Sequence, residues 1–205
     1  MLIEHLGAGA REWLAAPHPA TTQLTPDAVS RRTGSAVSVP PLLARGDRPE
    51  IFVEPVECDG RPVILFGAGH VGRAIAERAH GLPFHIAWYD CRAEAAETPG
   101  VMLADPDAMV ACAGTAPAGT AILVLTHDHG LDYRLTAAAL TGGADFVGLI
   151  GSATKRARFL SRLAADSIAA DRLTCPIGLP GVIGKEPGAI AVAVLAQLLS
   201  LRNQA

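Results

Sequence analysis

Val63-Ile64-Leu65-Phe66 runs directly into Gly67-Ala68-Gly69-His70-Val71-Gly72, and no other feature of the chain restricts its fold as tightly. Four consecutive apolar residues ended by glycine fit a strand buried on both faces. A strand that feeds Gly-x-Gly-x-x-Gly and then a helix has a mechanical meaning. Gly67 permits the tight turn, Gly69 lets backbone approach a pyrophosphate, and Gly72 lets helix and strand pack closely. Free N–H groups and the helix dipole, from His70 and Val71 onward, then favour an anion at the start of that helix. His70 replaces the small or hydrophobic residue common there in dehydrogenases, and is placed either to touch a phosphate or to cap the helix.

The rhythm beyond this turn extends the reading. A helix over about 70–80 is followed by strands at Phe84 to Tyr89, Val101 to Leu103 and Ile122 to Leu125. A helix at 131–141, a strand at Phe146 to Ile150, a helix at 152–165 and a closing helix from Glu186 to Leu201 complete the series. Strand and helix alternate, so the economical architecture is α/β: a Rossmann-like, doubly wound, mostly parallel sheet with right-handed crossovers. Ile51 to Val56 alternates like a strand, demoted to an edge by Pro55. Before it, residues 2–16 read as a helix weakened by Gly7 and Gly9, and Pro17 to Pro49 as an irregular connector. The expected division is therefore 1–50, a helix and connector left from a truncated domain, and 51–205, the nucleotide- or cofactor-binding domain.

Composition removes several classes of function. With a net charge of −3 and no run of Lys or Arg, the footprint of a nucleic-acid binder is missing. Met1-Leu2-Ile3-Glu4-His5 lacks the basic-then-apolar order of a secretory signal, so a cytoplasmic location is expected. Ala189 to Leu201 is too short to cross a bilayer and carries Gln197, so it reads as a buried helix. Its apolar character is compatible with a homodimer. Cys58, Cys91, Cys112 and Cys175 show no Cys-x-x-Cys spacing, and free thiols are expected.

Three further segments fall where ligands of open α/β sheets bind, beyond the carboxyl ends of strands. Asp90 closes the second strand at the spacing where a carboxylate accepts hydrogen bonds from a ribose diol, and Arg92 is placed to neutralise it or to meet a ribose phosphate. Thr126-His127-Asp128-His129-Gly130-Leu131-Asp132 follows an apolar strand. It reads as a recognition edge for an anionic or heterocyclic ligand, as a metal-binding loop through His127, His129 and Asp132, or as a loop whose histidines cap the next helix. In Gly148-Leu149-Ile150-Gly151-Ser152-Ala153-Thr154-Lys155-Arg156, Ser152 is a good N-cap, while Lys155 and Arg156 put positive charge where a helix by itself prefers acids. That mismatch points to a bound anion. Cys175, in a loop expected at the same edge, is a candidate soft ligand or nucleophile.

Taken in order, Phe66-Gly-Ala-Gly-His-Val-Gly72, Asp90-Cys-Arg92, Thr126-His-Asp-His129 with Asp132, Gly148-Leu-Ile-Gly-Ser152 with Lys155, Arg156 and Phe159, and Cys175-Pro-Ile-Gly-Leu179 resemble the XdhC/CoxI family of xanthine dehydrogenase accessory proteins. The similarity runs from about residue 51 to 199. The resemblance implies a maturation chaperone rather than a catalyst. Such a protein binds molybdenum cofactor, as molybdopterin or its dinucleotide form, and protects it. It also supports sulfuration of the cofactor by a cysteine desulfurase-like sulfurtransferase and helps deliver it to a xanthine dehydrogenase-type molybdenum hydroxylase. Family members usually begin with a domain carrying Gly-Gly-Gly and Cys-Gly-Gly-type segments, and residues 1–50 contain neither. The alternative is an NAD(P)-dependent oxidoreductase or a nucleotide-binding sensor using the same turn. A metal hydrolase comes third.

Overall fold

The computed structural model describes residues 20–24, 29–33, 60–182 and 184–201. The chain divides into two compact units after Gly60. In the first, β1 (Ala20–Leu24) and β2 (Val29–Thr33) pair antiparallel, with Ala20 opposite Thr33 and Leu24 opposite Val29. The irregular connector expected from Pro17 to Pro49 thus contains a strand pair. Its signal is the β-branched content of Thr21, Thr22, Val29 and Thr33, with the turn-favouring residues Pro26 and Asp27 between them in the sequence. The helix expected at 2–16 and the edge strand at Ile51 to Val56 lie outside the described residues.

The second unit runs β3 (Arg61–Phe66), α1 (His70–Arg78), β4 (Phe84–Asp90), a 3-10 turn (Ala93–Glu97), β5 (Val101–Leu103) and α2 (Pro106–Gly114). It continues through β6 (Ala121–Val124), α3 (His129–Thr141), β7 (Phe146–Leu149), α4 (Ala153–Ala165), β8 (Leu173–Thr174) and α5 (Pro187–Ser200). Three of these elements go unread in the sequence: the 3-10 turn, α2 and β8. The start of α2 does carry a signal: Asp105 accepts from the N–H groups of Asp107 and Ala108, and Pro106 stands at the first helical position. The two residues of β8 are too few for any periodicity.

Strand order is β5-β4-β3-β6-β7-β8 and every neighbouring pair is parallel. Helices cover both faces, which explains the unbroken apolar runs in the central strands. Val63, Leu65, Ala121 and Leu123 face a core completed by Ile75 of α1 and by Val194 and Leu198 of α5. Phe66, Ile122, Val124 and Leu149 face the opposite core, built with Met109 of α2, Leu135 of α3 and Leu163 of α4. After β3 the chain builds outward through β4 and β5, then crosses back to place β6 on the other side of β3. The strand order therefore reverses between β3 and β6, and the crevice at their carboxyl ends is where such folds take ligands. No helix among the described residues is long and apolar enough to cross a membrane.

Candidate functional site

Gly67 has φ +111°, a conformation closed to most side chains, and its N–H donates to the Tyr89 carbonyl at 2.8 Å. Its own carbonyl accepts from the Trp88 indole Nε1 at 3.1 Å. A Cβ on Gly67 would strike the Leu125 carbonyl of the neighbouring strand end, and one on Gly72 would strike the Gly67 carbonyl. Both glycines are therefore demanded by packing. Gly69 differs: nothing lies within 4 Å of where its Cβ would stand. The rim of the turn is open at the residue that the sequence pattern suggests for pyrophosphate approach.

The start of α1 complements that opening. Asp105, Asp128 and Ser152 cap α2, α3 and α4 with their side chains, whereas Gly69 offers none and the first turn of α1 holds no acid. The first helical bond runs from Arg73 N–H to the Gly69 carbonyl, so the N–H groups of His70, Val71 and Gly72 precede the helical ladder. His70 is exposed and caps nothing. This helix start presents donors and partial positive charge to the crevice.

Asp90 is held differently from the ribose-binding role expected of it. It is buried, and its Oδ2 accepts from Ala68 N–H at 2.6 Å and Arg92 Nη2 at 2.8 Å. Oδ1 accepts from Arg92 N–H at 2.8 Å and Arg92 Nε at 3.1 Å. Burial by itself would raise this carboxyl, but the Arg92 side chain and the Ala68 and Arg92 N–H groups outweigh it and bring the pKa down to about 2. Four donors fill the acceptor sites of a carboxylate. Asp90 ties β4 to the glycine turn and offers a ribose diol no free lone pair while Arg92 stays in place.

In the histidine loop the helix cap is Asp128, not a histidine. Its Oδ1 accepts from Gly130 N–H at 2.7 Å and Leu131 N–H at 3.1 Å. His129 is the first residue of α3, and His127 and His129 are both exposed. Asp132 turns inward: it is fully buried, accepts from Thr126 Oγ1 at 2.6 Å and from Lys155 Nζ at 2.5 Å. It is therefore not presented alongside the two imidazoles. No group of three or more His, Cys, Asp or Glu side chains among the described residues is arranged to hold a metal ion.

Lys155 Nζ also donates to the Ile150 carbonyl at 2.9 Å. The basic residue in the first turn of α4 thus answers an internal anion, Asp132, which the sequence reading assigned to a bound ligand. Ser152 caps α4 as expected, accepting from Lys155 N–H at 3.2 Å. Between the two loops lies a cleft of about 430 Å³, walled on one side by Thr126, His127 and His129. Its other wall is Ile150, Gly151, Ser152, Thr154, Lys155 and Arg158. Arg156 is exposed and does not line it. Arg158, which the sequence reading missed, does; its i, i+3 spacing from Lys155, which puts both on one helix face, was the available signal.

Cys175 lies in the core beneath α4, and burial pushes its thiol above the usual range, with Lys155 and Arg156 opposing that shift. It is a protonated packing group in this arrangement rather than part of the cleft wall. A larger cavity of about 720 Å³ lies elsewhere, between the second half of α1 and the segments entering β4 and β5. Its lining includes Arg73 and Trp88, whose indole bonds the Gly67 carbonyl, so it runs along α1 behind the glycine turn. Cys91, Cys112 and Cys175 are free thiols.

These features sit within a recognisable relationship to other proteins. YqeB, an uncharacterized protein of Escherichia coli (strain K12), is 30% identical over 187 residues, covering 87% of this chain and 32% of YqeB. The chain thus spans about a third of that relative's length. A crystal structure described as a xanthine dehydrogenase (BH1974) from Bacillus halodurans shares the fold, with a TM-score of 0.66 at 18% identity, covering 96% of this chain and 64% of the other. Residues 63–198 match the family described as the XdhC Rossmann domain. That match runs through every element that builds the carboxyl edge of the sheet, from β3 to α5, and the chain belongs to the XdhC family.

Proposed function

We propose that this protein is a non-catalytic accessory factor of the cytoplasm that holds molybdenum cofactor for a xanthine dehydrogenase-type molybdenum hydroxylase. In this role it protects the cofactor, supports its sulfuration by a cysteine desulfurase-like sulfurtransferase and passes it on. The observation that carries the reading is the open, uncapped start of α1 at the switch point of an XdhC-family sheet. Molybdopterin bears a phosphate, or a pyrophosphate in its dinucleotide form, and three N–H groups with no competing acid suit either. The cofactor is cargo here, and the chain's own residues supply only anchorage and shielding.

The test is to purify the chain from a host that makes the cofactor, then measure oxidised-pterin fluorescence and molybdenum together. Near-stoichiometric pterin is expected. Its absence, with normal molybdenum content in the target hydroxylase of a deletion strain, would overturn the reading. An NAD(P)-dependent oxidoreductase is disfavoured by the filled acceptor sites of Asp90, and tight binding of a nicotinamide nucleotide in the same preparation would revive it.

A further inference from the structure

We propose that the cleft between the histidine loop and the start of α4 is a second, separate binding site that takes a tetrahedral oxyanion, with Arg158 as its charge partner. The link to molybdenum cofactor rests on the function proposed above; the oxyanion site does not. Two loops from different strand ends enclose the cleft, and its walls include two imidazoles, two basic side chains and three hydroxyls but no carboxylate. Among the described residues such a pocket offers one cation without an acidic partner, Arg158, together with several donors.

The division of labour between the two cations follows from the hydrogen bonds. Lys155 directs Nζ to Asp132 and to the Ile150 carbonyl, and its side chain is only 13% exposed. Its charge is answered from within. Arg158 is exposed and has no acidic partner among the described residues, so its guanidinium is available to a ligand. An arginine fork matches an oxyanion in a bidentate manner, which a lysine cannot do. Ser152 accepts the Lys155 N–H with its oxygen and keeps its hydroxyl proton for a second acceptor. Thr126 is already bonded to Asp132, so it shapes the wall rather than contacting the anion. His127 and His129 are exposed on the facing wall, where they can close over a bound group.

The cleft lies beside the glycine turn, which packs against Leu125 and Thr126 but does not enter the lining. Gly67 and Gly69 do not line the cleft, and the α1 start belongs to the opposite side of the switch point. A ligand with two anionic groups could bridge both places, and one with a single phosphate would choose between them.

Titration of the full-length chain with inorganic phosphate and with phenyl phosphate separates these possibilities, read by calorimetry and by the NMR side-chain resonances of His127 and His129. Saturable shifts at both histidines are expected. Arg158→Ala should weaken binding at least about tenfold, the scale of a lost charge-assisted hydrogen bond, and Arg158→Lys should restore part of it. Gly69→Asp should leave these shifts unchanged. Because Arg158 is exposed, its replacement should leave the core untouched, and far-UV circular dichroism is the check that the fold is retained. Tighter binding of phenyl phosphate would mark an organic phosphate as the natural source, and equal binding a free oxyanion; either supports the site. Absence of saturable shifts at His127 and His129, unaltered affinity at those resonances in Arg158→Ala, or loss of the histidine shifts in Gly69→Asp would overturn it. Pterin recovered with wild-type protein that fails this titration would sink the cleft alone and leave the proposed function standing.

Discussion

Lys155 Nζ lies 2.5 Å from the carboxylate of Asp132, and the pair joins the first turn of α3 to the first turn of α4. Asp132 is fully buried and Thr126 supplies its other hydrogen bond. A buried ion pair of this kind adds little over an apolar pair of the same shape, but removing one partner strands a charge in the core. We predict that Lys155→Met costs about 3–5 kcal/mol of stability. Combining it with Asp132→Leu should recover much of that loss. Urea unfolding of the single and double variants checks this, and a fully stable Lys155→Met protein would show that the pair carries no such coupling.

The glycine turn separates folding from binding at neighbouring positions. Gly72→Ala should destabilise the domain strongly, since the added methyl meets the Gly67 carbonyl and backbone cannot yield as a flexible side chain would. Gly69→Asp should fold normally, because its Cβ points into open space, yet lose pterin by placing negative charge where the phosphate would approach. Thermal unfolding and the pterin content of the purified variants decide both halves. Retained pterin in Gly69→Asp would confine the turn to a structural role.

Asp90 predicts a pH dependence with a definite sign. Its pKa falls from an ordinary 3.8 to about 2 in the folded protein, so folding favours the carboxylate. The stabilisation is complete above about pH 4–5 and is lost as pH falls through about 2, and its size is about 2 kcal/mol. Asp90→Asn should therefore be less stable than wild type at pH 6, with the gap narrowing below pH 4. Urea midpoints of both proteins from pH 6 down to 3 test this, and a gap that widens on acidification would contradict it.

The thiols should divide by reactivity. Cys91 is exposed beside Arg92, whereas Cys175 is buried and its thiol is held protonated by that burial. Alkylation followed by peptide mass mapping should label Cys91 within minutes and Cys175 only in denaturant. Equal labelling of the two in native protein would mean that the loop carrying Cys175 opens in solution.

What the sequence determined by itself was whatever is local. The apolar run of β3, the glycine spacing and the alternation of elements specify a parallel, doubly wound sheet because each arises from neighbours in the chain. Ser152 as a helix cap was legible for the same reason, since capping spans three residues. The roles of charged side chains depended on partners far along the chain. Lys155 looked like an anion binder until the fold brought it to Asp132, 23 residues away. Asp90 looked like a ribose acceptor until the turn's own Ala68, 22 residues away, and Arg92 filled its lone pairs. Only tertiary structure decides which charges are answered internally, because a buried ion must find its counterpart wherever folding places one, and among the described residues Arg158 and the open start of α1 are left without one.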